Sequence, residues 1–294
     1  MLRIILFLGT NLAIMLVLGV VTSIFGIDRW AYAHSGINLQ GMLIFCAVFG
    51  MGGAFISLAL SKWMAKMSVG AQVIAEPRNE SEQWLFNTIR THAQNAQIGM
   101  PEIAIYDAPE MNAFATGMSK NHALVAVSTG LLRSMNRDQV SAVLGHEITH
   151  VSNGDMVTLA LIQGVLNTFV MFLARIIGGV IDSAMSGGRD GDRGGGIGYF
   201  FIVIILQTLL GVLATIIVMW FSRWREFRAD AGGAKLGGRQ NMISALQALA
   251  GTDNSTLPKA FQAFGINGEH GVARLFMSHP PIEERIAALR NNPQ

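Results

Sequence analysis

Charged side chains are scarce in this chain. Asp, Glu, Lys and Arg make up 14% of its 294 residues, against roughly 25% in an ordinary soluble domain. The few charges nearly cancel, to a net +2, and no Lys/Arg cluster resembles the basic groove of a nucleic-acid binder. Cys46 is the single cysteine. It excludes an intramolecular disulfide, and within its apolar run it reads as a small core or lipid-facing residue. The 33 glycines follow no repeat period, which excludes collagen-like and solenoid architectures. What is abundant is hydrophobicity: 51% of residues, with a mean hydropathy of +0.42. This is the composition of a membrane protein.

Four segments reach the about 20 apolar residues that a bilayer crossing requires: Ile4–Ile27, Leu39–Leu60, Val157–Ile181 and Ile197–Phe221. Arg175 is the only full charge inside them and lies near the end of its span, within snorkelling reach of the interface. The first span competes with a signal peptide ending at Ala31-Tyr32-Ala33, but its apolar stretch exceeds the roughly 7–15 residues of a signal core. It is read as an uncleaved anchor. Lys62, Lys66 and Arg78 follow the second span, and Arg223, Arg225 and Arg228 follow the fourth. Basic residues favour the cytoplasmic side, so both termini and residues 62–156 are expected there. The Asp182–Gly196 loop, on the far side, has the Gly/Asp/Arg composition of a flexible linker. The organisation expected is a two-span anchor (1–61), a cytoplasmic part (62–156), a transmembrane hairpin (157–221) and a second cytoplasmic part (222–294). The hairpin returns the chain to the side it left.

His146-Glu147-Ile148-Thr149-His150 carries the chemistry. Residues at i and i+4 share a helix face, so both histidines can reach one ion, with Glu147 beside it as a base for an attacking water. Asn136 and Gln139 suit the start of this helix as cap and N3 partner, Val140, Val143 and Leu144 its buried face, and Asn153-Gly154 its end. His150 then lies about 10 Å of helix from the third span. Past the fourth span, Glu226 and Asp230 are again spaced i, i+4. Glu226 would complete a His, His, Glu site with an open position, and Asp230 could accept the free ring N–H of a ligating histidine. The alternative is a charged helix end whose acids pair with Arg225 or Arg228.

Together, His146-Glu147-x-x-His150 and Glu226-x-x-x-Asp230 across a hydrophobic hairpin resemble the HtpX family of bacterial membrane zinc metalloproteases, relatives of the CAAX prenyl endopeptidases. The likeness runs over nearly the whole chain. It includes Arg3 to Leu8, Ser61-Lys62-Trp63-Met64, Asn112-Ala113-Phe114-Ala115-Thr116-Gly117 and Val125-Ala126-Val127-Ser128-Thr129-Gly130-Leu131. Asn153-Gly154-Asp155-Met156, Trp220-Phe221-Ser222-Arg223 and Ser278-His279-Pro280-Pro281 also match. The resemblance implies an α-helical membrane protein with four transmembrane helices and a cytoplasmic α+β zincin-like (gluzincin) protease domain. It further implies one Zn2+ per chain, held by His146, His150 and Glu226. Catalysis by Glu147, with His279 a candidate to stabilise the oxyanion, follows from the same likeness. Its expected task is cleavage of misfolded or surplus inner-membrane proteins under stress, with unfolded polypeptides as further substrates.

Glu102 to Tyr106 and Leu124 to Ser128 read as short strands flanking Asn112 to Thr116, so a small sheet precedes the metal helix. The resemblance suggests that Asn112-Ala113-Phe114-Ala115 is an edge strand that binds extended substrate; the plainer reading is sheet core. His34, His92, His122 and His270 carry no spacing signal and are read as surface or interface residues. Gly50, Gly53, Ala54 and Ser57 would permit close packing of the second span. A CAAX-type peptidase differs only in substrate. A scaffold or holdase with structural zinc would need a fourth protein ligand, and a metal transporter more polar residues in the spans than Gln163, Asn167 and Arg175.

Overall fold

The uncharged runs fold as long helices, because a helix satisfies every backbone polar group within itself where water is excluded. The structure is a computed structural model and describes residues 24, 26, 38–185, 197–251 and 272–291. In chain order the elements are α1 (Leu39–Val69), β1 (Gln72–Val73), α2 (Glu80–Asn95), β2 (Glu102–Tyr106), β3 (Ala113–Gly117) and β4 (Ala123–Ser128). There follow α3 (Thr129–Ser134), α4 (Arg137–Asn153), α5 (Asp155–Met185), α6 (Ile197–Gly237), α7 (Arg239–Ala250), α8 (Val272–Leu275) and α9 (Ile282–Asn291). Among the described residues three helices, α1, α5 and α6, are long and apolar enough to cross a membrane. The expected first span, Ile4–Ile27, lies outside the described residues except for Ile24 and Gly26.

All three helices outrun the apolar segments that announce them. Most consequentially, α6 continues past Phe221 to Gly237 without a break, so Glu226 and Asp230 ride on the same helix as the fourth apolar run. The Asp182–Gly196 loop is corrected at its start: α5 continues through Met185, since Asp182 and Ser183 interrupt hydropathy without interrupting the helix. Residues 186–196 lie outside the described residues.

The chain divides into two compact units. The described parts of Met1–Ile56 and Ala160–Val218 form one, and those of Ser57–Leu159 and Met219–Gln294 the other. Within the first, Gly50 lies so close to α5 that a Cβ there would stand 2.6 Å from the backbone nitrogen of Thr168, whereas Gly53 meets nothing.

The second unit is built on a four-stranded sheet of order β1-β2-β4-β3, with β2 and β4 parallel and the outer pairs antiparallel. β4 is buried along its whole length and β3 is an edge. β4 begins one residue earlier than expected, and the edge strand starts at Ala113, with Asn112 just before it. Leu85 and Ile89 of α2, Ile103 of β2, and Val125 and Val127 of β4 pack with Val140, Val143, Leu144 and Ile148 of α4. On the other side Ala142 of α4 joins Met242, Ile243 and Leu246 of α7 and Leu289 of α9. The predicted face of α4 is therefore buried, and α7 and the glycines of α6 pack against the other side.

Candidate metal centre

Helix α4 is fixed at both ends. Asn136 accepts from the Gln139 backbone N–H at 2.9 Å while Gln139 Oε1 accepts from the Asn136 N–H at 3.0 Å, the reciprocal capping box that the sequence suggests. Gly154 closes the helix at φ 66°, ψ 35°, a left-handed conformation that glycine adopts at little cost.

Between those ends His146 and His150 project from one face, with rings nearly perpendicular and Nε2 atoms 3.1 Å apart. Helix α6 lies against them at Gly233, where a Cβ would stand 3.0 Å from the His146 backbone nitrogen. Glu226, fully buried, reaches His146 Nε2 with Oε2 at 3.6 Å and His150 Nε2 with Oε1 at 3.3 Å. Of the alternative pairing, Glu226 keeps a long contact with Arg225, Nε to Oε1 at 4.0 Å, while it turns into the histidine pair, and Asp230 is engaged by Arg285.

The far nitrogens of both rings face carboxylates. Asp230 Oδ1 lies 2.9 Å from His146 Nδ1, a contact of hydrogen-bond length but off the axis of the ring N–H. Asp155 Oδ2 lies 2.6 Å from His150 Nδ1 in good geometry. A proton on each Nδ1 leaves both Nε2 lone pairs aimed at one point, where they repel unless a cation stands between them.

The donor set fits a metal on three counts. Donors at about 2.0–2.2 Å from a tetrahedral ion stand roughly 3.3–3.6 Å from one another; here the two Nε2 atoms are 3.1 Å apart, His150 Nε2 is 3.3 Å from Glu226 Oε1 and His146 Nε2 is 3.6 Å from Glu226 Oε2. Glu226 Oε1 is buried without a hydrogen-bond donor among the described residues. Three buried carboxylates (Asp155, Glu226 and Asp230) gather around the two rings while one buried guanidinium, Arg285, faces Asp230 and Glu226, an excess of negative charge that a divalent cation would offset. The titration behaviour has the same cause. Burial disfavours an imidazolium at His146, but Asp230 and Glu226 outweigh it and push the ring up to about 10. Burial is likewise outweighed at His150, by Asp155 and Glu226. Burial would raise the Glu226 carboxyl, yet His146, His150 and His279 hold it far below the ordinary carboxylate range.

Glu147, half-buried, follows His146 on α4 and acts electrostatically on both histidines and on Arg285. His279 Nδ1 is 2.8 Å from Glu226 Oε2 although its side chain is 60% exposed, so it stands at the rim of the cluster. Arg223 Nη1 donates to the carbonyls of Leu275 and Met277 at 3.2 and 2.7 Å, pinning the segment before His279 to α6. Ala113, Phe114 and Ala115 lie on β3, which packs along α4; Asn112 is exposed, and its carbonyl accepts from the Ser128 N–H.

Two partners escape a reading of the sequence. Arg285 sits in a charged run that looks like a solvated helix start. Asp155 follows a helix stop, and its only signal is an acid five residues beyond a candidate ligand. His92 is corrected: it is buried, with Nε2 3.0 Å from both Ser141 O and Oγ, tying α2 to the metal helix. Its position on the inner face of α2 put it there. His34 and His270 lie outside the described residues.

Fold and site together define a metallopeptidase with membrane helices. Residues 79–292 match peptidase family M48. The chain is 59% identical over 291 residues to Protease HtpX of Xanthomonas euvesicatoria pv. vesicatoria (strain 85-10), covering 98% of this chain and 97% of that one. It is 58% identical over the same length to Protease HtpX of Xanthomonas axonopodis pv. citri (strain 306), with the same coverage. Its fold is similar to the crystal structure of S. mikatae Ste24p, with TM-score 0.63 and 17% identity over 97% of this chain and 67% of that one. The chain belongs to peptidase family M48 and, within it, to the HtpX proteases.

Proposed function

We propose that the protein is a zinc-dependent integral-membrane endopeptidase that cleaves misfolded or surplus membrane proteins on the cytoplasmic side of the bacterial inner membrane. The convergence of His146, His150 and Glu226, backed by buried carboxylates, carries this reading. Four spans with both termini cytoplasmic follow from the basic residues that flank the apolar segments.

Zinc, when bound, polarises a scissile carbonyl and lowers the pKa of a water toward about 7. His146, His150 and Glu226 would hold it, with Asp230 behind the His146 ring at Nδ1. Glu147 takes the proton of the attacking water and passes it to the leaving amine. His279, exposed at the rim and bonded to Glu226, turns toward the substrate oxyanion.

Edge strand β3 binds the substrate. Its register supports this role: the Ser128 N–H donates to the Asn112 carbonyl, so the paired positions 112, 114 and 116 direct their backbone groups at β4. Strand alternation then turns the N–H and C=O of Ala113 and Ala115 outward, where an extended peptide can pair with them.

The test is cleavage of an unfolded casein-like substrate and of a membrane-protein substrate by detergent-purified protein, with Glu147→Gln in parallel. Zinc-dependent cleavage by wild type alone, at equal zinc content, supports the proposal. Full zinc occupancy without cleavage of either substrate favours a scaffold with a structural metal.

A further inference from the structure

We propose that Asp155, the first residue of α5, is a positioning residue that locks His150 in the orientation and tautomer needed to bind the metal. The proposal rests on the metal-centre reading above and adds a residue to it. A histidine ligates through one ring nitrogen only when the proton resides on the other, and a carboxylate behind the ring fixes that choice. Asp155 is 4% exposed, and its Oδ2 meets His150 Nδ1 at 2.6 Å; among the described residues His150 is its only side-chain partner.

The backbone explains how a residue so near in sequence reaches that place. Five positions along an unbroken helix correspond to a rise of about 7.5 Å and a rotation of roughly 140°, which would carry the side chain away from His150. Gly154, at φ 66°, breaks the helix between them, and α5 begins immediately with Asp155 turned back onto the ring. The carboxylate behind one ligand thus belongs to the first turn of α5, whereas the acid behind the other, Asp230, is shared with Arg285.

A plainer role is also open to Asp155, since a carboxylate in a first helical turn interacts favourably with the helix dipole. Asp155→Ser separates the two roles. Serine is well suited to a helix start, but its short hydroxyl cannot reach the His150 ring. The experiment loads full-length, detergent-purified wild type, Asp155→Ser and Asp155→Asn with Co2+, records the visible absorption, and titrates with Zn2+ in competition. Helix content is checked by circular dichroism.

Asp155→Ser should keep its helix content, shift the Co2+ spectrum and lose about 10–100-fold in Zn2+ affinity, the usual effect of removing such a partner. Asp155→Asn, which keeps an acceptor but not the charge, should fall between. Affinity within about twofold of wild type and an unchanged Co2+ spectrum in Asp155→Ser would overturn the proposal while leaving the metal centre standing. If Asp155→Ser does not fold, Asp155→Asn decides: weaker binding supports the proposal, and unchanged binding overturns it. Folded wild type that binds neither ion would overturn the metal-centre reading and this proposal together.

Discussion

Arg285 donates to both oxygens of Asp230, from Nε at 2.7 Å and Nη2 at 2.6 Å, with the two side chains buried together. Its Nη1 also stands 3.7 Å from Glu226 Oε2. One guanidinium on α9 therefore faces both acids of α6. Helix α9 is short and comes late in the chain, yet it supplies the buried guanidinium of the site. Arg285→Ala leaves the buried Asp230 carboxylate without its cation, a loss that typically costs about 3–5 kcal/mol. Its apparent unfolding midpoint in detergent should fall accordingly. Arg285→Lys restores a charge but not the two-pronged geometry, so it should recover only part of the loss. A wild-type midpoint for Arg285→Ala would show that the pair contributes nothing.

Glu147 is not among the residues that converge on the cation site, and its removal should leave metal binding intact. Glu147→Gln should retain zinc and lose about 10²–10⁴-fold in kcat, the usual contribution of a general base. His150→Ala should behave oppositely and lose the metal itself. Zinc analysis beside cleavage rates separates the two. A zinc-replete Glu147→Gln with wild-type turnover would remove Glu147 from the mechanism.

The chain announced much of this in advance, for identifiable reasons. Helix periodicity places His146 and His150 on one face whatever surrounds them, and the Asn136/Gln139 box and Gly154 are local signals that tertiary packing did not override. β2 has the bounds that its short apolar run suggests, Glu102–Tyr106. What remained hidden depends on contacts distant in sequence. Nothing local to Arg285 says that it faces Asp230, and nothing local to α4 says that α7 and α6 will cover its second face. Apolar runs also end before their helices do, because hydropathy reports the surroundings of a segment and not its hydrogen bonding. That is why α6 carries Glu226 and Asp230 without a break.

Gly154 should be intolerant of a side chain for two linked reasons. Its φ of 66° costs an L-residue roughly 1–2 kcal/mol, and relaxing that strain would swing Asp155 away from His150. Gly154→Ala should therefore lower both the unfolding midpoint and the Zn2+ affinity. Asn tolerates the left-handed region better, so Gly154→Asn should be milder in both. Loss of stability without any loss of affinity would mean that the turn and the carboxylate it presents are independent.

The register of β3 yields the sharpest test of how substrate is held. If the outward N–H of Ala115 pairs with an extended peptide, proline at that position deletes a donor to the substrate and none to β4. Phe114 opposes Ala126 in a position whose backbone groups face β4, so proline there removes a bond of the sheet itself. Proline is tolerated at an edge only where its missing N–H would have faced outward. Ala115→Pro should then fold, bind zinc and hydrolyse extended substrates with a kcat/KM reduced by about tenfold, the equivalent of one hydrogen bond of roughly 1.4 kcal/mol. Phe114→Pro should lose its fold in the same preparation. Wild-type kcat/KM in a folded Ala115→Pro would show that substrate does not pair with this edge, and β3 would keep only its place in the sheet.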